Sequence, residues 1–337
     1  MGRELAAAEA IAMRSFWKAR AGEGGNEERR RGRGRPHRLS RRTDDVPAGF
    51  DDDTGVTSKD VVIAAVTGVA VRIYLPGVHA AGSDGTDVGA AVVTKLPVVV
   101  FFHGGFFIVG SAGCPRYHRY VNSLAADARA IVVSVDYRLA PEHLLPAAYD
   151  DSWAALNWAV SGADLWLSEH GDLGRVFWPA PARAEHSTQH GHRRRRERPL
   201  RRGDTPEGTV LLHPSFSGEQ RIETESEEYR ASVKMRWSVI FPRAMGGLDD
   251  PRMNPTAAGA PSLRTLPCPR MLVCAASEDE RLPRVRAYYD AVKSSGWSGQ
   301  VEWFESEGKG HAFFVGEHGC REAVALMERV VGFIVGH

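Results

Sequence analysis

"KLPVVVFFHGG", residues 95–105, decides how this chain folds. From Leu96 to Phe102 it is an apolar run rich in valine, closed after His103 by two glycines. A run without polar alternation fits a strand buried on both faces of a sheet. The glycines let the chain turn sharply at its end. Working outward, the same kind of run recurs: "KDVVIAA" and "VAVRIYLP" before it, then "AIVVSVDYRLAPEH", "RVFW", "TVLLHP", "CPRMLVCAAS" and "QVEWFE" after it. Apolar residues at helical spacing lie between them, around 116–128, in "AAYDDSWAALNWAV", over 283–294 and over 319–334. Buried strands alternating with helices predict an α/β fold, a mainly parallel central sheet with helices on both faces.

At 337 residues the chain suits one large domain, expected over 46–337, behind an N-terminal segment 1–45 whose arginine-rich part, 19–43, reads as disordered. The composition is 43% hydrophobic and 25% charged, ordinary for a globular protein, and no apolar run reaches membrane-spanning length. No basic start followed by an apolar core marks a secretory signal. Four cysteines without a CxxC pair suggest reduced thiols and a cytoplasmic setting. The net charge of +1 conceals an uneven distribution. Arginines crowd into 19–43 and 178–202, and outside those tracts acids outnumber bases.

In parallel sheets the working groups gather beyond the carboxyl ends of the strands. His103, Gly104, Gly105 and Phe106 follow the strand 96–102, where backbone N–H groups could form an oxyanion hole or simply a tight turn. Asp279 follows "RMLVCAAS" and His311 lies in "EGKGHAFF", an acid and then a histidine, each at a strand end. Singly, Asp279 reads as a helix cap and His311 as a loop histidine; together they match the acid–base order of a hydrolase triad. No metal or cofactor motif is present.

"FFHGGFFIVGSA", "VVSVDYRLAPEHLLPAAYDDSWAALNW", "TVLLHP", "ASEDERLPRVRAYYDAVKSSGW" and "GKGHAFF" resemble the plant carboxylesterases. These are α/β-hydrolases of the hormone-sensitive-lipase group, whose relatives include gibberellin receptors and an isoflavanone dehydratase. The resemblance covers about residues 46–177 and 207–337. It implies that Gly104, Gly105 and Phe106, with His103 in the motif, form the oxyanion hole. It implies further that Asp279 orients His311, the base, and that Arg138 pairs with Glu142 to brace the loop beneath the site. The family has a third glycine or another small residue where Phe106 stands.

The same family raises its nucleophilic serine on a Gly-x-Ser-x-Gly elbow between a strand and a helix. By chain order that elbow should follow "GRVFW", where Pro179-Ala180-Pro181-Ala182-Arg183 stands instead. No Gly-x-Ser-x-Gly occurs in the chain; "AGSDG" at 81–85 comes nearest and lies far upstream. Proline cannot continue an interior strand, so the strand is expected to stop near Trp178, leaving strand and following helix disrupted over 178–206. As a nucleic-acid patch, the tract Arg193–Arg196 lacks interleaved aromatics. As a disordered insert, it substitutes for an element where an insert would add one. A stretch translated out of frame fits its composition, its placement and its length. Ser187 and Ser215 are the substitute nucleophiles on offer, neither in an elbow.

The expectation is therefore a hydrolase of small carboxylic esters by resemblance, impaired in this chain, with a small-molecule ester as partner and neither nucleic acid nor membrane. A non-catalytic, gibberellin-receptor-like binder and a poorly folded product are the alternatives.

Overall fold

The computed structural model describes residues 44–77, 94–178 and 205–336. Expectations that fall on 19–43, on "AGSDG", on Ser187, on the arginine tract and on the helix after the elbow lie outside them. Among the described residues nine strands form: β1 (Phe50–Asp51), β2 (Val56–Ala64), β3 (Val69–Pro76), β4 (Leu96–Phe102), β5 (Ile131–Asp136), β6 (Gly171–Phe177), β7 (Thr209–Leu212), β8 (Arg270–Ala276) and β9 (Gln300–Ser306). Six pair in the order β1-β2-β3-β5-β4-β6, and β7-β8-β9 form a second, three-stranded sheet. From β5 through β4 to β6, and from β7 through β8 to β9, the pairing is parallel; β1, β2 and β3 join antiparallel. A single parallel bridge, Phe177 to Gly208, links the two sheets.

The helices are α1 (Pro115–Asp127), α2 (Ala147–Val160), α3 (Leu165–His170), α4 (Glu227–Ile240), α5 (Leu282–Ser294) and α6 (Arg321–Val335). Their buried residues recur at the spacing of one helical face: Tyr117, Tyr120, Val121 and Leu124 on α1, and Ala323, Leu326, Val330 and Phe333 on α6. Ser226 caps α4 by accepting the Tyr229 N–H at 3.1 Å, and Glu227 and Glu228 in the first turn suit the positive helix end.

The pleat assigns alternate residues of each strand to opposite layers. Val99, Val132, Leu272 and Cys274 pack under α1 and α6 in one cluster that runs beneath both sheets. Val98, Val100, Val133 and Val135 pack under α2 and α4, whereas Met271, Val273 and Ala275 pack under α5 in a separate cluster. Among the described residues, then, one layer is continuous and the other is divided, and the division falls where β6 ends and β7 begins.

The strand expected to stop near Trp178 runs over seven residues and ends at Phe177. Trp178 N–H still donates to Gly208 O at 3.3 Å, and Thr209 Oγ1 to Trp178 O at 2.9 Å. Burial of Val176, Phe177 and Trp178, each at most 3% exposed, holds this end in place. Arg138 does not pair with Glu142. Its Nε and Nη2 clasp the buried Asp151 carboxylate on α2, both at 2.8 Å, while Glu142 is exposed. A bidentate clasp on a carboxylate already out of water is the stronger contact.

Candidate active site

Parallel pairing puts the carboxyl ends of β4, β5 and β6 along one edge of the larger sheet, and those of β7, β8 and β9 along one edge of the smaller. The parallel bridge brings the two edges into line. His103–Phe106 follow β4, Trp178 ends β6, His213 ends β7, Asp279 follows β8, and His311 follows β9.

The turn after β4 is held by specific contacts. Tyr137 Oη donates to His103 O at 2.5 Å and its ring stacks on the His103 imidazole, centroids 4.3 Å apart. Gly105 has φ +117°, and a Cβ there would lie 1.9 Å from Val109 O; at Gly110, φ +115°, it would lie 2.1 Å from the His103 ring. Only glycine fits at either place. Ile108 and Val109 N–H both donate to Gly105 O. The amides of Gly104, Gly105 and Phe106 donate to nothing among the described residues, which leaves three N–H groups for a ligand oxygen. Phe106 takes a left-handed φ of +52° and lays its ring 4.6 Å from the Arg236 guanidinium, so the side chain larger than the family's usual residue is accommodated against α4.

The acid and the histidine meet. His311 Nδ1 lies 2.7 Å from Asp279 Oδ2. Burial by itself would raise the Asp279 carboxyl, but the hydrogen bond from His311 and the charges of His311 and Arg281 outweigh it and hold the group well below the usual carboxylate range. The ionised carboxylate accepts, so Nδ1 carries the proton and Nε2 presents its lone pair, the tautomer of a general base.

Several neighbours were not foreseen. Arg281 Nη1 donates to the other Asp279 oxygen at 3.1 Å and its Nε to Ser215 Oγ at 3.2 Å. Ser215, weighed as a nucleophile, is thus tied to a guanidinium. His213 is buried, with φ +47°; its Nδ1 accepts the Ala312 N–H at 3.0 Å and its ring lies 5.9 Å from that of His311. Burial, with the charge of His311, pushes its pKa down to about 3, so it is a neutral imidazole with the proton on Nε2. The signal for His213 was its place directly after "TVLL", the rule that pointed to Asp279 and His311. Nothing in the sequence pattern marks Arg281, Tyr229 or Arg236.

His213, Asp279 and His311 offer atoms within 4.8 Å of one another, close enough to suggest a cation cage. His213 Nδ1 is committed to Ala312 and the carboxylate to His311 and to the positive Arg281, which leaves the lone pair on His311 Nε2. A guanidinium against the only anionic ligand opposes a metal ion. The set is that of an acid–base pair.

Residues 99–315 match a family described as the alpha/beta hydrolase fold. The chain belongs to that family. Within it, the chain is 40% identical over 288 residues to tuliposide A-converting enzyme b3, amyloplastic, of Tulipa gesneriana, covering 83% of this chain and 72% of the relative. It is 33% identical to probable carboxylesterase 3 of Arabidopsis thaliana, covering 90% and 94%. These likenesses establish the plant carboxylesterase-like group inferred from the motifs. Among solved structures, esterase LipW from Mycobacterium marinum superposes with TM-score 0.62 at 24% identity over 84% of this α/β-hydrolase and 82% of LipW, a likeness of fold. The name of the tulip relative places that protein in amyloplasts, whereas the cysteine pattern here led to a cytoplasmic expectation. No helix among the described residues is long and apolar enough to cross a membrane.

Proposed function

We propose that this chain is a carboxylic-ester hydrolase in its scaffold and an impaired one in turnover. The observation that carries the first half is the 2.7 Å contact between Asp279 and His311 at the strand ends, beside a glycine turn with uncommitted amides. In an ester hydrolase of this kind a serine oxygen attacks the carbonyl while the imidazole takes its proton. The amides receive the oxyanion, and water then releases the acyl group by the same route. The second half comes from the sequence, which has no Gly-x-Ser-x-Gly in 337 residues and Pro179 where the elbow should start. Removing the nucleophile of a triad lowers turnover by about 10⁶, leaving the weak acceleration that the oxyanion donors and binding supply.

The proposed partner is a small ester molecule; nucleic acid and membrane surfaces are not. Retention of His311 favours a hydrolase scaffold over a binder that has dispensed with its base. The free Cys114, Cys268, Cys274 and Cys320 support a reducing compartment, which a fluorescent fusion would assign to cytoplasm or plastid. A fluorophosphonate probe tests the central claim. The expected result is negligible labelling of the purified protein and slow hydrolysis of p-nitrophenyl acetate. Stoichiometric labelling of one serine would overturn it.

A further inference from the structure

Four polar groups stand around the Asp279–His311 pair, each with a hydrogen still to offer a ligand. Arg281, 14% exposed in its side chain, spends Nε on Ser215 and Nη1 on Asp279, while its Nη2 makes no hydrogen bond among the described residues. Tyr229 Oη is buried with no partner, as is His213 Nε2, which carries that ring's proton. Ser215 Oγ accepts from Arg281 and so keeps its own hydrogen to give. The tyrosine hydroxyl feels the charges of Arg281, Asp279 and Arg236 and lies beside Ser215, which puts it in the same small space. The Arg281 guanidinium stands 5.2 Å from the Tyr229 ring.

Helix α4 explains why these groups converge. Its buried face runs Tyr229, Val233, Arg236, Trp237 and Ile240. Tyr229 is therefore set at the acid–imidazole end and Arg236, two turns on, over Phe106 of the glycine turn. The Arg281 guanidinium faces the Asp279 carboxylate. Glu280, the remaining acid nearby, is exposed and accepts from Ser226 at 2.8 Å. Buried donors left without acceptors are costly, about 1–3 kcal/mol each, and a ligand rich in acceptor oxygens relieves that cost.

We infer that this site takes an ester bearing a free carboxylate, held by Arg281 with Tyr229 beside it while the ester carbonyl faces the amides of Gly104–Phe106. The inference deepens the ester-hydrolase reading above and depends on it. A carboxylate matches the unspent Nη2 edge of Arg281 in charge and in geometry, and a neutral ester offers that edge a weaker acceptor.

Binding tests it without requiring turnover. Monomethyl succinate and its near-isosteric neutral counterpart methyl levulinate are titrated into the full chain by calorimetry, with the His311 ring resonances followed by NMR. The half-ester is expected to bind at least tenfold more tightly at low salt, and Arg281→Leu to bring the two affinities within about twofold. Equal affinities, with both esters moving the His311 signals, would overturn the carboxylate preference and leave an ester site standing. If neither ester moves them, both readings fall. A preference that survives Arg281→Leu overturns the assignment to this residue. Should that variant not fold, Tyr229→Phe is read in its place, expected to reduce the preference several-fold, and an unchanged preference counts against the proposal.

Discussion

Among the described residues, the two layers covering the sheet differ: one apolar cluster is continuous and the other is divided. Under α1 and α6 the apolar cluster continues from Val99 and Val132 across Phe177 to Leu272 and Cys274. Under α2 and α5 the same strands contribute to two clusters that do not meet. The division falls beyond the carboxyl end of β6, where the described residues stop at Trp178 and resume at Thr205. An elbow is a strand running into a helix, and the helix that raises the serine also covers the sheet behind it.

The largest expected effect comes from supplying the elbow that the sequence lacks. Replacing residues 179–204 by a Gly-x-Ser-x-Gly elbow leading into an amphipathic helix is expected to raise p-nitrophenyl acetate hydrolysis by about 10⁴-fold or more. Fluorophosphonate labelling should become stoichiometric, and His311→Ala should abolish the gain. Activity that stays at its starting level in a folded chimera would count against the proposal that the absent elbow motif limits turnover.

Acid should act most strongly at the strand ends beside the gap. His213 is neutral in the folded chain down to about 3 but titrates near 6.5 when unfolded. Its contribution is complete above about pH 6.5 and falls by about 1.4 kcal/mol per pH unit below it, until the folded pKa is reached. His118, held below its usual value by burial and by Arg72, adds in the same direction. Urea melts at pH 7, 5 and 4 should show the loss, and His213→Leu should flatten it relative to the parent chain.

Core truncations sharpen the comparison further. Leu326→Ala, fully buried in the continuous layer, is expected to cost about 2–5 kcal/mol in urea unfolding. Across the divided layer, Leu156→Ala and Val285→Ala should add within about 0.5 kcal/mol, because the two clusters are separate among the described residues. Marked non-additivity would mean that the layer is bridged after all. The smallest effect concerns the corrected ion pair. Arg138→Ala, which strands the buried Asp151, should cost about 1–3 kcal/mol, and Glu142→Ala no more than about 0.5.

Much of this was legible from residue order. "KLPVVVFF" and "RMLVCAA" read as buried strands because the pleat there buries both faces, and Asp279 and His311 followed from the rule that strand ends carry function. Arg138 went astray because its partner lies thirteen residues away on another element, at a distance that spacing cannot express. Arg281, Tyr229 and Arg236 left no trace for the same reason: their relevance depends on which face of α4 turns inward and which guanidinium edge is left over.

By itself, the chain's order of apolar runs, turns and breaks determined the layered fold, the acid–base pair and the lack of a serine elbow, since each is encoded in contiguous residues. Only the tertiary structure decided that Arg138 clasps Asp151, that His213 is a neutral neighbour of the base, and that the donors around it keep hydrogens to offer a ligand. Those facts depend on burial and on distances between segments far apart in the chain, which packing alone brings together.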